Sequence, residues 1–358
     1  MFPVKYLLFI LACFGLTGNA SAQSTWMPRT SGVTNALYSI TWNGNILVAV
    51  GNGGTIINSP DGVTWNTIVS NQGNPLFSVI WTGNQFVAMG TLGFIVTSSD
   101  GNIWSARYLG TNISFTSVVW TGASINSGLS KLVAVGNNGG IMTSSDGTTW
   151  TTQSSGTSRD LNSVTWTGSQ LVAVGLTGTI LTSPDGVVWT SRVSPVSSTF
   201  YSVIWTGTQL VAVGGDNLTG EYAYLMSTDG ITWTGNRVAG GATADNLFSV
   251  TLHGSQFVTV GYFGSIRVSS NGTTWTIKSS GVTSQLRSVT WAGSQYVTVG
   301  YNGTILTSPQ DPVAIAPHLR DRNVGTVPVF YTVSGRKADS RKTSGSKTPA
   351  SQLLKIIR

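Results

Sequence analysis

This 358-residue chain has twelve carboxylates, and only one of them, Glu221, is a glutamate. Hydrolysis of a glycosidic bond calls for a proton donor and a nucleophile or base, commonly two carboxyl groups at one bond. Five of the aspartates, Asp61, Asp100, Asp146, Asp185 and Asp229, occur in the same local setting. It reads SPDGVTW, SSDGNIW, SSDGTTW, SPDGVVW and STDGITW, with SSNGTTW as a degenerate copy. An aspartate at such a turn accepts N–H bonds from the backbone just beyond it. Five equivalent turns cannot converge on one substrate, so these residues are assigned a structural role. Removing them leaves Asp160, Asp216, Glu221, Asp245 and Asp311 in the body. The two histidines, His253 and His318, lie 65 residues apart, and the single cysteine is Cys13. Neither a metal-ligand spacing nor a G-x-S-x-G nucleophile elbow is present. No catalytic residue, metal site or cofactor is therefore assigned.

The elements that carry these residues are set by an internal repeat. Its clearest copy is SVTWTGSQLVAVGLTGTILTSPDGVVW, and its first serine recurs as Ser39, Ser78, Ser117, Ser163, Ser202, Ser249 and Ser288. The intervals are 39, 39, 46, 39, 47 and 39 residues, the length of one four-stranded propeller blade. Within each unit, short β-branched runs alternate with Thr-Gly and Asp-Gly turns, which is hairpin chemistry. Seven such sheets, stacked radially, cover one another's faces. The expected fold is all-β, a seven-bladed β-propeller of four-stranded antiparallel blades over residues 23–311. Extra residues fall in loops, at 123–131 of blade three and at 214–224 and 235–247 of blade five.

Ring closure is also legible. Six units end in a tryptophan (Trp65, Trp104, Trp150, Trp189, Trp233 and Trp275), while the seventh stops after Ser308-Pro309-Gln310 without one. Trp26 precedes Ser39 by 13 residues, the spacing that separates Trp65 from Ser78. The N-terminal strand is thus expected to complete the last blade. All 13 tryptophans occupy two repeat positions, so interblade packing accounts for them.

The S-x-D-G-x-x-W turns resemble the Asp-box, or bacterial-neuraminidase repeat, of sialidases and xyloglucanases. They are also similar to the repeats of photosystem II stability/assembly factor-like propellers. The resemblance covers residues 24–309 and implies the propeller fold, one that hosts unrelated activities. A sialidase likeness would imply three convergent arginines, for which Arg159, Arg237 and Arg287 are the candidates, with a Tyr/Glu pair and an acid/base aspartate.

Residues that break the repeat on the face carrying the interblade connections are the candidates for ligand binding: Arg159, Asp160, Asp216, Glu221, Tyr222, Tyr262, Arg287 and Tyr301. Asp245 and Tyr224 accompany them. The blade-five hairpin is expected to overhang the axial opening near Arg159, Tyr262, Arg287 and Tyr301. A Tyr-rich rim of mixed charge suits a protein or glycan ligand. The expected function is a non-catalytic binding propeller, the alternative being a carbohydrate-active hydrolase or lyase of sialidase-like architecture.

The net charge of +7 belongs to the ends of the chain. Residues 23–315 hold nine basic and ten acidic side chains, whereas residues 316–358 hold nine basic and two acidic. A nucleic-acid groove needs clustered Lys and Arg, and only two lysines occur in the body. No nucleic-acid partner is expected. Lys5, the apolar run 6–16 and Ala20-Ser21-Ala22 read as a secretory signal over residues 1–22, too short an apolar run to span a bilayer. Ile10-Leu11-Ala12-Cys13 leaves a lipoprotein reading open. A secreted or cell-surface monomer is expected. The tail, 312–358, contains VPVFYTVSGR and LLKIIR, which resemble a degenerate type IX secretion sorting signal; a basic linker is the other reading.

Overall fold

The computed structural model describes residues 26–68, 73–122, 130–216, 219–239 and 246–309. The leader at 1–22, the tail at 312–358, Asp245 and most of the blade-three insertion lie outside the described residues. Seven four-stranded antiparallel sheets follow one another along the chain. Blade one consists of Leu37–Trp42, Leu47–Gly51, Ile56–Ser59 and Asn66–Ile68, and the next five blades repeat that order. In the seventh, Leu286–Trp291, Gln295–Gly300 and Ile305–Pro309 are joined by Met27–Arg29 from the other end of the chain, with Pro28 opposite Leu306. The ring is closed as the tryptophan spacing requires. Among the described residues no helix is long and apolar enough to cross a membrane.

The core is seven interblade layers rather than one centre. Val48, Val50 and Ile56 of blade one pack on Leu76, Phe86 and Phe94 of blade two. In the layer that closes the ring, Leu37, Leu47 and Ile57 pack on Val297, Val299 and Ile305. The second strand, LVAVG in four copies, is buried along its whole length in blades one to five, and in blades six and seven all but its first residue, a glutamine, is buried. Its last glycine is set by close approach: a Cβ on Gly51 would overlap the Ala36 carbonyl oxygen of the incoming connection.

The repeat serine links the blades. Ser39 Oγ accepts the backbone N–H of Val79 at 3.1 Å, and the same bond runs from Val118 to Ser78, Val164 to Ser117 and Val203 to Ser163. It continues from Val250 to Ser202 and Val289 to Ser249. The seventh, from Ile40 N–H to Ser288 Oγ at 3.3 Å, spans the closure. A serine at this position gives each innermost strand one bond to its neighbour that no ladder supplies. At about 0.5–1.5 kcal/mol apiece, the set is a material part of ring stability.

Each S-x-D-G-x-x-W turn closes on itself. Asp185 Oδ1 accepts the N–H groups of Val187 (2.8 Å) and Val188 (2.9 Å), and Ser183 Oγ takes the N–H of Gly186. Trp189 Nε1 donates to the Gly186 carbonyl. Asp61, Asp100, Asp146 and Asp229 hold the same paired amides, and Asn271 does so in the degenerate copy. These bonds favour the charged carboxylate. The N–H of Thr232, then that of Ile231, holds the Asp229 carboxyl down at about 2. Asp61, Asp100 and Asp185 are lowered chiefly by the N–H groups of Thr64, Ile103 and Val188, and Asp146 chiefly by the Thr148 hydroxyl.

Candidate functional site: the axial pocket

In all seven blades the register of the innermost strand against the second slips by one residue, between Leu37 and Ser39 in blade one and at the equivalent place elsewhere. A bulge leaves one residue unpaired and re-aims its side chain. The seven bulge residues are Tyr38, Phe77, Thr116, Asn162, Tyr201, Phe248 and Arg287, and these seven line a single cavity of about 250 Å³. One residue per blade, each immediately before the repeat serine, thus converges on the axis.

The ring is chemically lopsided. Blades five, six, seven, one and two supply aromatic side chains and the cation. Tyr201 meets Phe248 edge-on at 5.0 Å between centroids, and Tyr38 meets Phe77 at 5.4 Å. Between these pairs stands Arg287, its guanidinium carbon 4.1 Å from the Phe248 centroid and 5.9 Å from those of Tyr38 and Tyr301. Blades three and four supply Thr116 and Asn162. The Thr116 hydroxyl donates to the Leu161 carbonyl at 2.6 Å, and Asn162 Nδ2 donates to the Phe200 carbonyl at 2.9 Å. Burial is the main reason the Tyr38 phenol is raised above its usual pKa, with Tyr301 adding to it against the pull of Arg287.

A second tier comes from the turns that follow the second strands. Tyr301 packs on Tyr38 at 6.1 Å, and Tyr262 packs on Phe248 at 4.9 Å. Phe263, beside Tyr262 at 5.9 Å, projects from the rim with 55% exposure and a φ of 51°. Leu92 takes the same left-handed conformation in blade two, where blade one has Gly53 and blades three and seven have asparagine. A bulky residue there is strained.

Of the sequence candidates among the described residues, Arg287 lines the cavity and Tyr262 and Tyr301 pack on its walls. Asp216 and Glu221 face Arg237 Nη1, at 3.4 and 3.6 Å, on the outermost strand of their own blade. In the described part of the blade-five hairpin the two carboxylates thus meet the outermost strand, and no contact of theirs with Arg159, Tyr262, Arg287 or Tyr301 is found. Tyr222 is buried in the layer between blades five and six, with Arg267 over its ring at 4.3 Å. Arg159 Nη1 donates to the Thr177 carbonyl, and Asp160 accepts the Asn138 N–H, so both tie the rim turns together. Arg159, Arg237 and Arg287 do not converge: Arg237 is on an outermost strand and Arg287 on an innermost one. Tyr38, Phe77, Thr116, Asn162, Tyr201 and Phe248 escaped the reading of the sequence. Comparing the seven residues that precede the repeat serines would have exposed them, since that column varies between a constant serine and a column that is always Leu or Phe.

His253 lies flat on Trp291, 3.8 Å between ring centres, at the far end of the inner strands. It is five positions on from Phe248, about 17 Å along the strand. Among the described residues, no group of three or more His, Cys, Asp or Glu comes together.

No family model matches this chain, and no curated protein matches it. Solved structures do. "YCF48 bound to D1 peptide" is 18% identical with a TM-score of 0.64, over 81% of this chain and 96% of that one. A catalytically inactive variant of virginiamycin B lyase from Staphylococcus aureus, with quinupristin, is 10% identical with a TM-score of 0.68, over 80% and 99%. The selenomethionine-substituted form of the same lyase is also 10% identical, with a TM-score of 0.66 over 80% and 98%. At these identities the likeness is one of fold: a propeller of this size and blade number.

Proposed function

We propose that this chain is a non-catalytic binding propeller of the Asp-box type, working outside the cytoplasm, that receives a segment of another protein in its axial pocket. One observation carries the reading. The framework repeats almost unchanged around the ring, while the seven side chains aimed at the axis differ and gather into an aromatic arc around one arginine. Large rigid aromatics and arginine are the residues that dominate protein recognition sites. The scaffold has the fold of YCF48, whose structure is described as bound to a peptide. Position on a propeller axis adds weight, since the pocket is concave and largely preformed by packed strands.

The export reading of residues 1–22 belongs to the same proposal, as does the sorting reading of residues 312–358. Peptide-display selection against the full chain, followed by substitution, tests the binding role. Peptides selected on the parent protein should lose affinity on Tyr201→Ala and on Phe77→Ala, and keep it on Ile231→Ser at the outer turn of blade five.

A further inference from the structure

We infer that the axial pocket is a receptor for one carboxylate carried on an apolar stem. The inference rests on the binding role proposed above and specifies what the bound segment must present. Arg287 is half-buried, its guanidinium carbon 4.1 Å from the centre of the Phe248 ring, and its N–H groups are the charged donors of the pocket. Among the described residues no hydrogen bond or ion pair takes up those donors; the two ion pairs found both go to Arg237. The aromatic walls give this guanidinium no counter-ion among the described residues, and a planar carboxylate matches its fork.

The rest of the lining narrows the class. A single cation faces the cavity, so a dianionic phosphate would enter with half its charge unmatched, at a desolvation cost that a monoanion avoids. The aromatic side chains offer apolar contact and few donors. The Thr116 hydroxyl is already directed at the Leu161 carbonyl, and one N–H of Asn162 at the Phe200 carbonyl. A sugar acid, whose hydroxyls need several bonds, is served poorly by that lining. An aromatic or branched residue beside a carboxylate is served well: the stem lies against Tyr38, Phe77 and Tyr201 while the acid reaches Arg287. A cavity of about 250 Å³ has room for a group of that size. The carboxylate has two sources in a polypeptide, the chain's own C-terminus and an acidic side chain next to an apolar one.

Calorimetric titration of the full chain separates these. Hydrocinnamate is compared with its amide, benzylphosphonate and a uronic-acid trisaccharide. Gly-Gly-Phe with a free carboxylate is compared with its C-terminal amide and with capped acetyl-Glu-Phe-amide. Hydrocinnamate should bind roughly ten- to a hundredfold more tightly than its amide, the difference expected for a hydrogen-bonded charge. Arg287→Gln should abolish that preference, and Arg287→Lys should keep part of it, which also guards against a folding defect in the first variant. Whichever of the two peptide acids binds more tightly identifies the source. Equal affinity for acid and amide, a preference unchanged in Arg287→Gln, tighter binding of the phosphonate or trisaccharide, or no binding of any acid would each overturn the inference. If display-selected peptides still depend on Phe77 and Tyr201 in those cases, the binding role stands without the carboxylate. If they do not, the axial site itself falls.

Discussion

The guanidinium of Arg287 rests on the face of Phe248, 4.1 Å from the ring centre, and the two residues hold the same position in neighbouring blades. Both sit on the bulge before the repeat serine. The bulge turns them toward the axis, while the serine next to each bonds one innermost strand to another. Ser249 Oγ accepts from Val289, and Ser288 Oγ accepts from Ile40. One dipeptide per blade therefore does two jobs: a variable residue lines the pocket and a constant one joins the ring. The binding surface can then change without loosening the scaffold.

Closure should be testable through Ser288. Ser288→Ala removes the bond to the Ile40 N–H and should lower stability by about 1 kcal/mol, seen as a fall in denaturant midpoint at unchanged slope. Removing residues 23–30 should cost far more, since the seventh blade then loses the strand paired with Ile305–Pro309 and exposes that edge. If the shortened chain melts like the parent, the N-terminal strand does not close the ring.

The aspartate turns should dominate the acid response. Their carboxyls are depressed in the folded protein, to about 2 for Asp229. The unfolded chain therefore takes up protons first as the pH falls through about 4. The stabilisation is complete above that value and is lost as the pH drops toward the folded pKa. Asp229→Asn should retain the paired N–H bonds, as Asn271 does in blade six, and should reduce the slope of stability against pH between about 4 and 2. Melting curves across that range would show it; a parallel curve for the variant would refute the assignment.

Asp185→Ala should lower stability by about 1 kcal/mol by leaving the Val187 and Val188 amides to solvent, and should leave binding to selected peptides unaltered. Loss of binding at unchanged melting temperature would give the turn a functional role.

Phe263 should be replaceable with a gain in stability. Its φ of 51° is tolerated by asparagine, which blades three and seven carry at this position. Phe263→Asn is expected to raise stability by up to about 1 kcal/mol by relieving the strain. A loss of stability would mean that the exposed ring contributes packing that outweighs its backbone cost.

How much of this was legible in the sequence follows the period of the repeat. The serine spacing yields seven blades, and the missing seventh tryptophan yields the closure by Met27–Arg29, because both are constant features of a periodic pattern. The pocket is built from the column that breaks the pattern. Arg287, Tyr262 and Tyr301 stood out as single departures, but Phe77, Phe248 and Tyr201 look like ordinary strand residues until the bulge is seen to turn them inward. The blade-five hairpin misled for a physical reason. Asp216 and Glu221 are conspicuous in a body poor in carboxylates, yet Arg237, on the strand beside them, takes up both. Tyr222 is a departure from the repeat that fills an interblade layer under Arg267.

The measurement closest to the central claim is the affinity of one display-selected peptide for the full chain and for Tyr201→Ala, with Ile231→Ser as the control. Both residues lie in blade five, but Tyr201 faces the axis and Ile231 lies in the outer turn. If the axial pocket is the binding site, Tyr201→Ala should weaken binding about tenfold or more, the effect of removing a central aromatic anchor, and Ile231→Ser should leave it unchanged. Unchanged affinity in Tyr201→Ala, or an equal loss in both variants at intact folding, would place the site elsewhere on the propeller.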